Sequence, residues 1–400
     1  MKVTSIDVYK VKVNAKDTGN CVSKLPWVPI VVRINTDEGI FGYGEAGVCY
    51  GNGGQAAVGM IMDLAPLLIG KDPMNNEAIW ETLFRDTFWG QGGGTIVSAA
   101  MSALDIALWD IRGKALGVPV YQLLGGKTND DLRTYASQIQ FDWGPVTTPL
   151  TEPKQYAEAA LKAVAEGYDC VKVDPLAFNT RGEWAEWKTE GWLTHDKFSL
   201  AVDRLTAVRE AIGPSVDIIV EMHCFSDTIS AIQLGREFEK LGCMMFEEPV
   251  TPLNPALTRE VKNNVRIPIA SGERIYTRYG YRPFFEMRAL DMIQPDLGTA
   301  GGFTEGKKIC DMAYMYDISV QCHVCGSPIA TAAALQMEAV IPNFQIHEFH
   351  ASALLDFNIR SCKYNYMPVN GKFKVPDLPG IGQELSEEAL ACSERISFGR

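Results

Sequence analysis

From about Leu132 onward the chain alternates short apolar runs with amphipathic stretches, and this alternation constrains the fold more than any other feature. Eight runs stand out: Tyr135 to Phe141, Cys170 to Val173, Asp217 to Val220, Met244 to Phe246, Pro268 to Ala270, Asp291 to Ile293, Ile318 to Gln321 and Phe344 to Ile346. Each of the seven intervals between them is long enough for a helix. Short buried strands separated by helices predict a parallel sheet with covered faces, and eight of them predict a β/α barrel. An open doubly wound sheet would instead call for G-x-G-x-x-G after an early strand. Gly92-Gly93-Gly94 has neither that spacing nor a strand before it. The first 50 residues read as a strand meander with a T-D-E-G turn. Helical periodicity follows over Ala56 to Ile69 and Thr95 to Leu116, the latter stopping at Gly117 as a helix does. An α+β unit therefore precedes the barrel.

The formal net charge of −12, without a long basic run, excludes nucleic acid and anionic membrane as main partners and leaves a small molecule. The N-terminus lacks a signal-peptide core, and no apolar run approaches the roughly 20 residues of a membrane span, so a cytoplasmic location is expected. The ten cysteines are scattered and read as reduced core residues. Cys322-His323-Val324-Cys325 contains C-x-x-C, but no second ligand pair accompanies it as a structural zinc site would need.

In a β/α barrel, chemistry gathers at the C-terminal ends of the strands. Those positions carry Lys172 and Asp174, then Glu221 and His223, Glu247 and Glu248, Glu273, Asp296, His323 and Glu348. In D-I-I-V-E-M-H, Glu221 and His223 fall on one side of the strand, because alternate residues share a face. Glu221, Glu247 and Glu273 recur at an even interval, one strand-helix-strand advance apart. Three carboxylates converging on a low-dielectric cavity must take up protons or bind a cation. Oxygen ligands favour a hard divalent ion, Mg²⁺ rather than Zn²⁺. The bland alternative, solvated loop acids, does not account for three at matching strand ends.

Together F-E-E-P at 246–249, S-G-E-R at 271–274, Q-P-D at 294–296 with A-G-G at 300–302, C-H-V-C-G-S-P-I-A at 322–330 and W-D-I-R-G-K-A-L-G at 109–117 resemble the enolase superfamily. The resemblance is to its mandelate racemase subgroup, in particular acid-sugar dehydratases of the galactonate type. It implies a modified TIM barrel of (β/α)7β form over residues 126–360, an N-terminal capping domain over 1–125, and a segment 361–400 returning to the cap. It further implies one Mg²⁺ per subunit held by Glu221, Glu247 and Glu273, and a homo-oligomer. Asp296 and His323 match a dyad whose histidine is the base. Glu348 matches a group that hydrogen-bonds the substrate carboxylate when protonated. Lys172 and Asp174, on the second strand, are expected to face the substrate. Members using K-x-K carry a lysine base where V-K-V-D-P has Asp174, which weakens racemase and cycloisomerase readings. Galactonate dehydratases commonly have aspartate where this chain has Glu221.

The expected reaction removes the proton α to a carboxylate with His323 and expels a β-hydroxyl protonated by His223, giving a 2-keto-3-deoxy sugar acid. Two alternatives stay open: an epimerase on the same scaffold, and a silent metal-binding barrel with a regulatory role. Lys16 to Leu25 and Val48 to Gly54 are expected to form lids, with Trp27, Tyr50 and Trp89 as pocket residues. The insertion Asn179 to His195, with Trp184, Trp187 and Trp192, is expected to cover the site or an interface. His195, His347 and His350 read as packing residues, and Glu248 as facing away from the ligands.

Overall fold

The computed structural model describes residues 1–17, 26–184 and 191–399. Most of the expected Lys16 to Leu25 lid and Trp187 lie outside the described residues. Strands β1 (Val3–Lys10), β2 (Ile30–Thr36) and β3 (Phe41–Ala46) form an antiparallel meander. Eight parallel strands follow: β4 (Asp131–Ser137), β5 (Cys170–Val173), β6 (Asp217–Glu221), β7 (Met245–Glu247), β8 (Ile269–Ser271), β9 (Met292–Ile293), β10 (Ser319–Val320) and β11 (His347–His350). They pair in the order β10-β9-β8-β7-β6-β5-β4-β11, with helices in every interval. A parallel bridge between Val320 and Phe344 closes the ring. Strand β12 (Lys372–Lys374) lies antiparallel on β4, and β13 (Glu394–Gly399) adds to β1 in the first sheet. Among the described residues no helix is long and apolar enough to cross a membrane.

Two expected boundaries shift. The run Phe344 to Ile346 is the closing bridge rather than the eighth strand. Val320 N–H donates to the Asn343 carbonyl at 2.8 Å, and Gln345 N–H to that of Val320 at 2.9 Å, before the chain turns to pair with β4. Glu348 thus lies within β11 instead of after it. The first strand stops at Ser137, because Gln138 adopts a left-handed conformation (φ 74°) and a 3-10 turn follows over Ile139–Phe141.

Strand parity positions the site. Tyr135, Cys170, Ile219, Met245, Ala270, Met292 and Ile346 form one buried cluster inside the ring. Two residues further along the same face come Ser137, Lys172, Glu221, Glu247, Gln294 and Glu348, and two further again Asp174, His223 and Asp296. An apolar plug therefore carries a layer of ionisable groups above it. The opposite face, with Val171, Val173, Ile218, Val220, Phe246 and Ile293, packs into the large outer core under the helices.

The helix Thr95–Leu116 is the wedge between the two units, and it ends at Gly117 in the left-handed conformation (φ 68°). Gly42 and Gly44 on β3 let its backbone touch the sheet: a Cβ at Gly44 would stand 2.0 Å from the Ala103 carbonyl oxygen. On its other side Ser102 Oγ accepts from Gly301 N–H at 2.8 Å, and Asp105 takes both the Thr304 N–H at 3.0 Å and its hydroxyl at 2.5 Å. Glu45, at the end of β3, receives the Ser327 N–H and hydroxyl at the start of the helix Pro328–Glu338. Burial pushes the carboxyls of both Glu45 and Asp105 up to about 7, against the pull of their hydrogen bonds.

Two outcomes follow for the seam. Gly44→Ala should destabilise the protein at the upper end of the ~1–3 kcal/mol that overpacking costs, read as a lower denaturation midpoint. Raised pKa values mean that folding takes up protons. The contribution of Glu45 and Asp105 is therefore fully present below about pH 4 and is lost as pH rises through about 7. In melting temperatures measured across that window, Glu45→Gln and Asp105→Asn should flatten the slope, gaining on wild type as pH increases. A gap that stayed constant with pH would contradict it.

Candidate active site

A cavity of about 490 Å³ opens above the charged layer, between barrel and cap. Its walls include Trp27 and Tyr50 from the cap, Gln138, Phe141 and Trp184 on one side, and His223, Glu273, Asp296, His323 and His350 from the strand ends. The Val48–Gly54 stretch stands where a lid was expected: Tyr50 bridges to Trp27, and Val28 N–H donates to the Cys49 carbonyl at 2.7 Å. Trp184 stacks on Phe141 with centroids 5.7 Å apart, so the insertion contributes to the cavity wall. Trp192 is exposed. Trp89 does not fit its expected role. It is 77% exposed, its ring lies against Phe88, and it is absent from the cavity wall.

Glu221, Glu247 and Glu273 converge, each offering a carboxylate oxygen within 4.8 Å of the others. Glu221 and Glu247 are fully buried at the last residues of β6 and β7. Glu273 comes after Gly272, where a Cβ would stand 2.4 Å from the Gln294 backbone, so only glycine lets the turn pass that close to β9. Burial, then repulsion from Glu221, pushes Glu247 up to about 8, and burial likewise raises Glu273. Glu247 Oε2 is buried with no hydrogen-bond partner among the described residues. An orphaned carboxylate oxygen inside an all-oxygen cluster fits a hard divalent cation of the Mg²⁺ class.

Lys172 and Glu348 lie elsewhere than expected. Lys172 is 1% exposed and sits beneath the cluster instead of facing substrate. Its Nζ is 2.8 Å from Glu247, 2.7 Å from Glu348 and 3.4 Å from Glu221. Burial opposes its charge, but the surrounding carboxylates, Glu247 first, hold its pKa well above the usual lysine value. Glu348 accepts from Ser137 Oγ at 2.7 Å and Val324 N–H at 2.9 Å. Burial works against its charge too, yet Lys172 and His323 outweigh it and hold the carboxyl below its ordinary range. With these partners Glu348 stands in the floor beside Lys172 and outside the cavity wall, deeper than the substrate-facing position the sequence suggested.

Two histidine–aspartate dyads flank the carboxylates. At the β8 end, His323 Nδ1 lies 2.8 Å from Asp296 Oδ2 and its Nε2 3.2 Å from Glu273. Asp296 is itself fixed by Gly298 N–H at 2.7 Å. At the β6 end, His223 Nδ1 lies 2.7 Å from Asp174 Oδ2, and Asp174 is fixed by Leu176 N–H at 2.9 Å. Asp174 thus orients His223 and is not part of the cavity wall as expected. An aspartate on Nδ1–H sets the tautomer and makes Nε2 the proton-exchanging nitrogen. Burial disfavours the charge on His223, but Glu221 and the bond to Asp174 lift it to about 9. The same contest, with Glu273 and Asp296 on the favourable side, raises His323 well above its ordinary value. His223 and Glu248 hold positive φ, 45° and 43°, backbone strain of the kind that collects at working sites.

Sequence reasoning gave Arg274 no role and read His350 as a packing residue that could shape the mouth. Arg274 pairs with Glu273 at 2.8 Å and with the buried Glu248, which explains why Glu248 turns from the cluster. His350 Nδ1 accepts from Ser352 N–H at 3.0 Å, making Nε2 the donor, and its ring lies 5.9 Å from Trp27. The signal was present: Glu348 and His350 stand in the i, i+2 relation that joins Glu221 to His223.

Comparison with known proteins agrees with this architecture. Residues 8–125 match the family model described as mandelate racemase / muconate lactonizing enzyme, N-terminal domain, and residues 155–389 that described as enolase C-terminal domain-like. A D-xylonate dehydratase of Haloferax volcanii is 34% identical across 91% of this chain and 84% of its own. A D-galactonate dehydratase of Pectobacterium atrosepticum is 32% identical across 98% and 94%. The crystal structure of an enolase-superfamily member from Salmonella Typhimurium superposes with a TM-score of 0.95 at 57% identity, covering 99% of both chains. With both of its domains matched and its carboxylate cluster at the barrel strand ends, the chain belongs to the mandelate racemase/muconate lactonizing enzyme family of the enolase superfamily.

Proposed function

We propose that the protein is a sugar-acid dehydratase that abstracts the proton α to a carboxylate and eliminates the β-hydroxyl, giving a 2-keto-3-deoxy acid. The observation that carries this reading is the pair of His–Asp dyads at the two ends of the carboxylate cluster, since elimination of water needs a base and an acid. Dehydratases acting on D-xylonate and D-galactonate among the relatives support the same reaction class. Glu221, Glu247 and Glu273 would hold a divalent cation, which when bound supplies Lewis-acid stabilisation of negative charge spreading into the substrate carboxylate.

His323 takes the α-proton at Nε2, while Asp296 holds the ring and stabilises the imidazolium formed. His223, whose pKa Glu221 and the bond to Asp174 raise against burial, delivers a proton to the departing hydroxyl. A hydroxide leaves poorly, so this protonation is what commits the intermediate to elimination. Lys172 and Glu348 form the buried ion pair under the site and hold the carboxylates in place. Trp27, Tyr50 and Trp184 cover the cavity, and the His350 Nε2–H offers a donor to a distal hydroxyl.

The symmetry of the dyads supports a second reading, epimerisation by proton removal at one histidine and return at the other. Isotope exchange separates the two. With an aldonate substrate in D₂O, His323→Asn should abolish α-proton exchange. His223→Asn should retain exchange and lose 2-keto acid formation by ~10²–10⁴-fold. Deuterated epimer with no 2-keto acid from wild type would establish the second reading instead. Independently of turnover, calorimetric titration with Mg²⁺ should show one site per chain, weakened at least about tenfold by Glu247→Gln; unchanged affinity would remove Glu247 from the ligand set.

A further inference from the structure

Two thiols meet where the cap loop lies on the barrel. Cys49, 2% exposed, donates its Sγ proton to the Cys325 carbonyl at 2.8 Å, so the two cysteines are in direct contact. Both pack in one small apolar cluster with Trp27 and Phe357, and Cys325 opens onto the cavity two residues after His323. Each is held by its own backbone frame. Gly47 N–H donates to the Gly298 carbonyl at 2.8 Å, and the residue between the histidine and the cysteine, Val324, is tied to Glu348. The two cysteines are therefore held side by side by segments that are each fixed to the barrel. Neither thiol has a task in the proton chemistry above.

We propose that Cys325 and Cys49 form a peroxide-reactive thiol pair, a modification site whose oxidation joins the cap loop covalently to the barrel mouth. The surroundings assign the order of events. Cys325 opens onto the cavity, where peroxide can reach it, whereas Cys49 is buried with its proton on a carbonyl; the neighbourhood of Cys49, with His350 and His323 alongside, outweighs burial and holds the Cys325 thiol below its ordinary value, while burial pushes Cys49 up. Cys325 is then the attacking thiolate. Its sulfur displaces hydroxide from the O–O bond of hydrogen peroxide. An S–O bond forms, sulfur is oxidised by two electrons, and the hydroxide takes up the thiol proton as water. Cys49 attacks that sulfenic sulfur, the S–S bond forms as the S–O bond breaks, and the leaving hydroxide accepts the Cys49 proton. In sum, two thiols and one peroxide give one disulfide and two waters.

The test uses the full-length protein treated with hydrogen peroxide and read by intact mass and peptide mapping, so it does not depend on the identity of the substrate. The expected product has lost two hydrogens, contains a Cys49–Cys325 crosslinked peptide, and reverts with dithiothreitol. Cys325 should react roughly tenfold faster or more than the exposed Cys392. In Cys49→Ser, a sulfenic acid should persist at Cys325 and be trapped by dimedone, whereas in Cys325→Ser Cys49 should stay reduced. The proposal is overturned if no crosslink forms, if Cys325 pairs with Cys21 or another cysteine, if Cys325 proceeds to sulfinic acid while Cys49 is present, or if Cys49 oxidises in Cys325→Ser.

Discussion

The site depends on one buried cation. Lys172 stands beneath Glu221, Glu247 and Glu348, all of them withdrawn from water. Carboxylates gathered at that density repel, and desolvation adds to the cost; removing the sole partner of a buried charge typically costs ~3–5 kcal/mol. Lys172 offsets part of that charge from below. What it cannot reach is Glu273, 15% exposed on the cavity side, and Glu247 Oε2. The residual negative potential is therefore directed upward, into the space where a cation and an anionic substrate would meet. The lysine divides the cluster into a floor that is already balanced and a rim that is not.

The strand register delivers this division. Along each barrel strand, residues two apart share the interior face, so an apolar residue in the plug fixes which polar residue stands above it. Cys170 fixes Lys172 and then Asp174, Ile219 fixes Glu221 and then His223, and Met245 fixes Glu247. This is why the barrel, the three converging glutamates and the His323–Asp296 pair were legible in the sequence. Period and strand ends suffice to place the barrel and the glutamates, and the family resemblance paired His323 with Asp296. The layer within that face was not legible. Lys172 and Asp174 share a face, but whether a side chain reaches up to the cavity or down to a neighbour depends on partners from strands distant in sequence: Glu348 for Lys172, His223 for Asp174. Glu348 was misread for the same reason. Its ionisation is decided by Lys172, Ser137 and Val324, none adjacent to it in sequence.

The cap shows where local signals fail outright. Trp89 beside a glycine-rich stretch has the composition of a lid residue, yet Phe88 at positive φ turns the pair outward. Trp27 and Tyr50 have no stronger local signal, but their bridge places both rings over the barrel mouth. The difference is tertiary. The Trp27 and Tyr50 segments are joined to each other and, through Gly47 and Gly298, to the barrel end that carries Asp296. A Cβ at Gly47 would stand 3.0 Å from the Asp296 carboxylate, so cap and dyad approach as closely as backbone allows. The Trp27–Tyr50 wall and the His323–Asp296 dyad are parts of one contact.

That contact bears on how the two dyads differ. Both histidines have an aspartate on Nδ1, and by that criterion alone they are equivalent. Their other neighbours are not. His223 follows directly on β6, with its backbone N–H bound at 2.7 Å to Glu221 of the same strand, so its position is set locally, while its ring Nδ1 is held by Asp174 at 2.7 Å. His323 lies between Glu273 at the rim and Asp296 under the cap. Glu273 and Glu221 both belong to the candidate ligand set, but Glu273 stands 3.2 Å from a ring nitrogen of His323 while Glu221 stands 4.0 Å from that of His223, so cation binding competes more directly with the proton on His323. A proton held by a rim carboxylate is the one most easily given up when that carboxylate is engaged, and a histidine that has given up its proton is a base. The asymmetry between rim and floor, set by the lysine underneath, is what separates the proposed acid from the proposed base in an otherwise paired design.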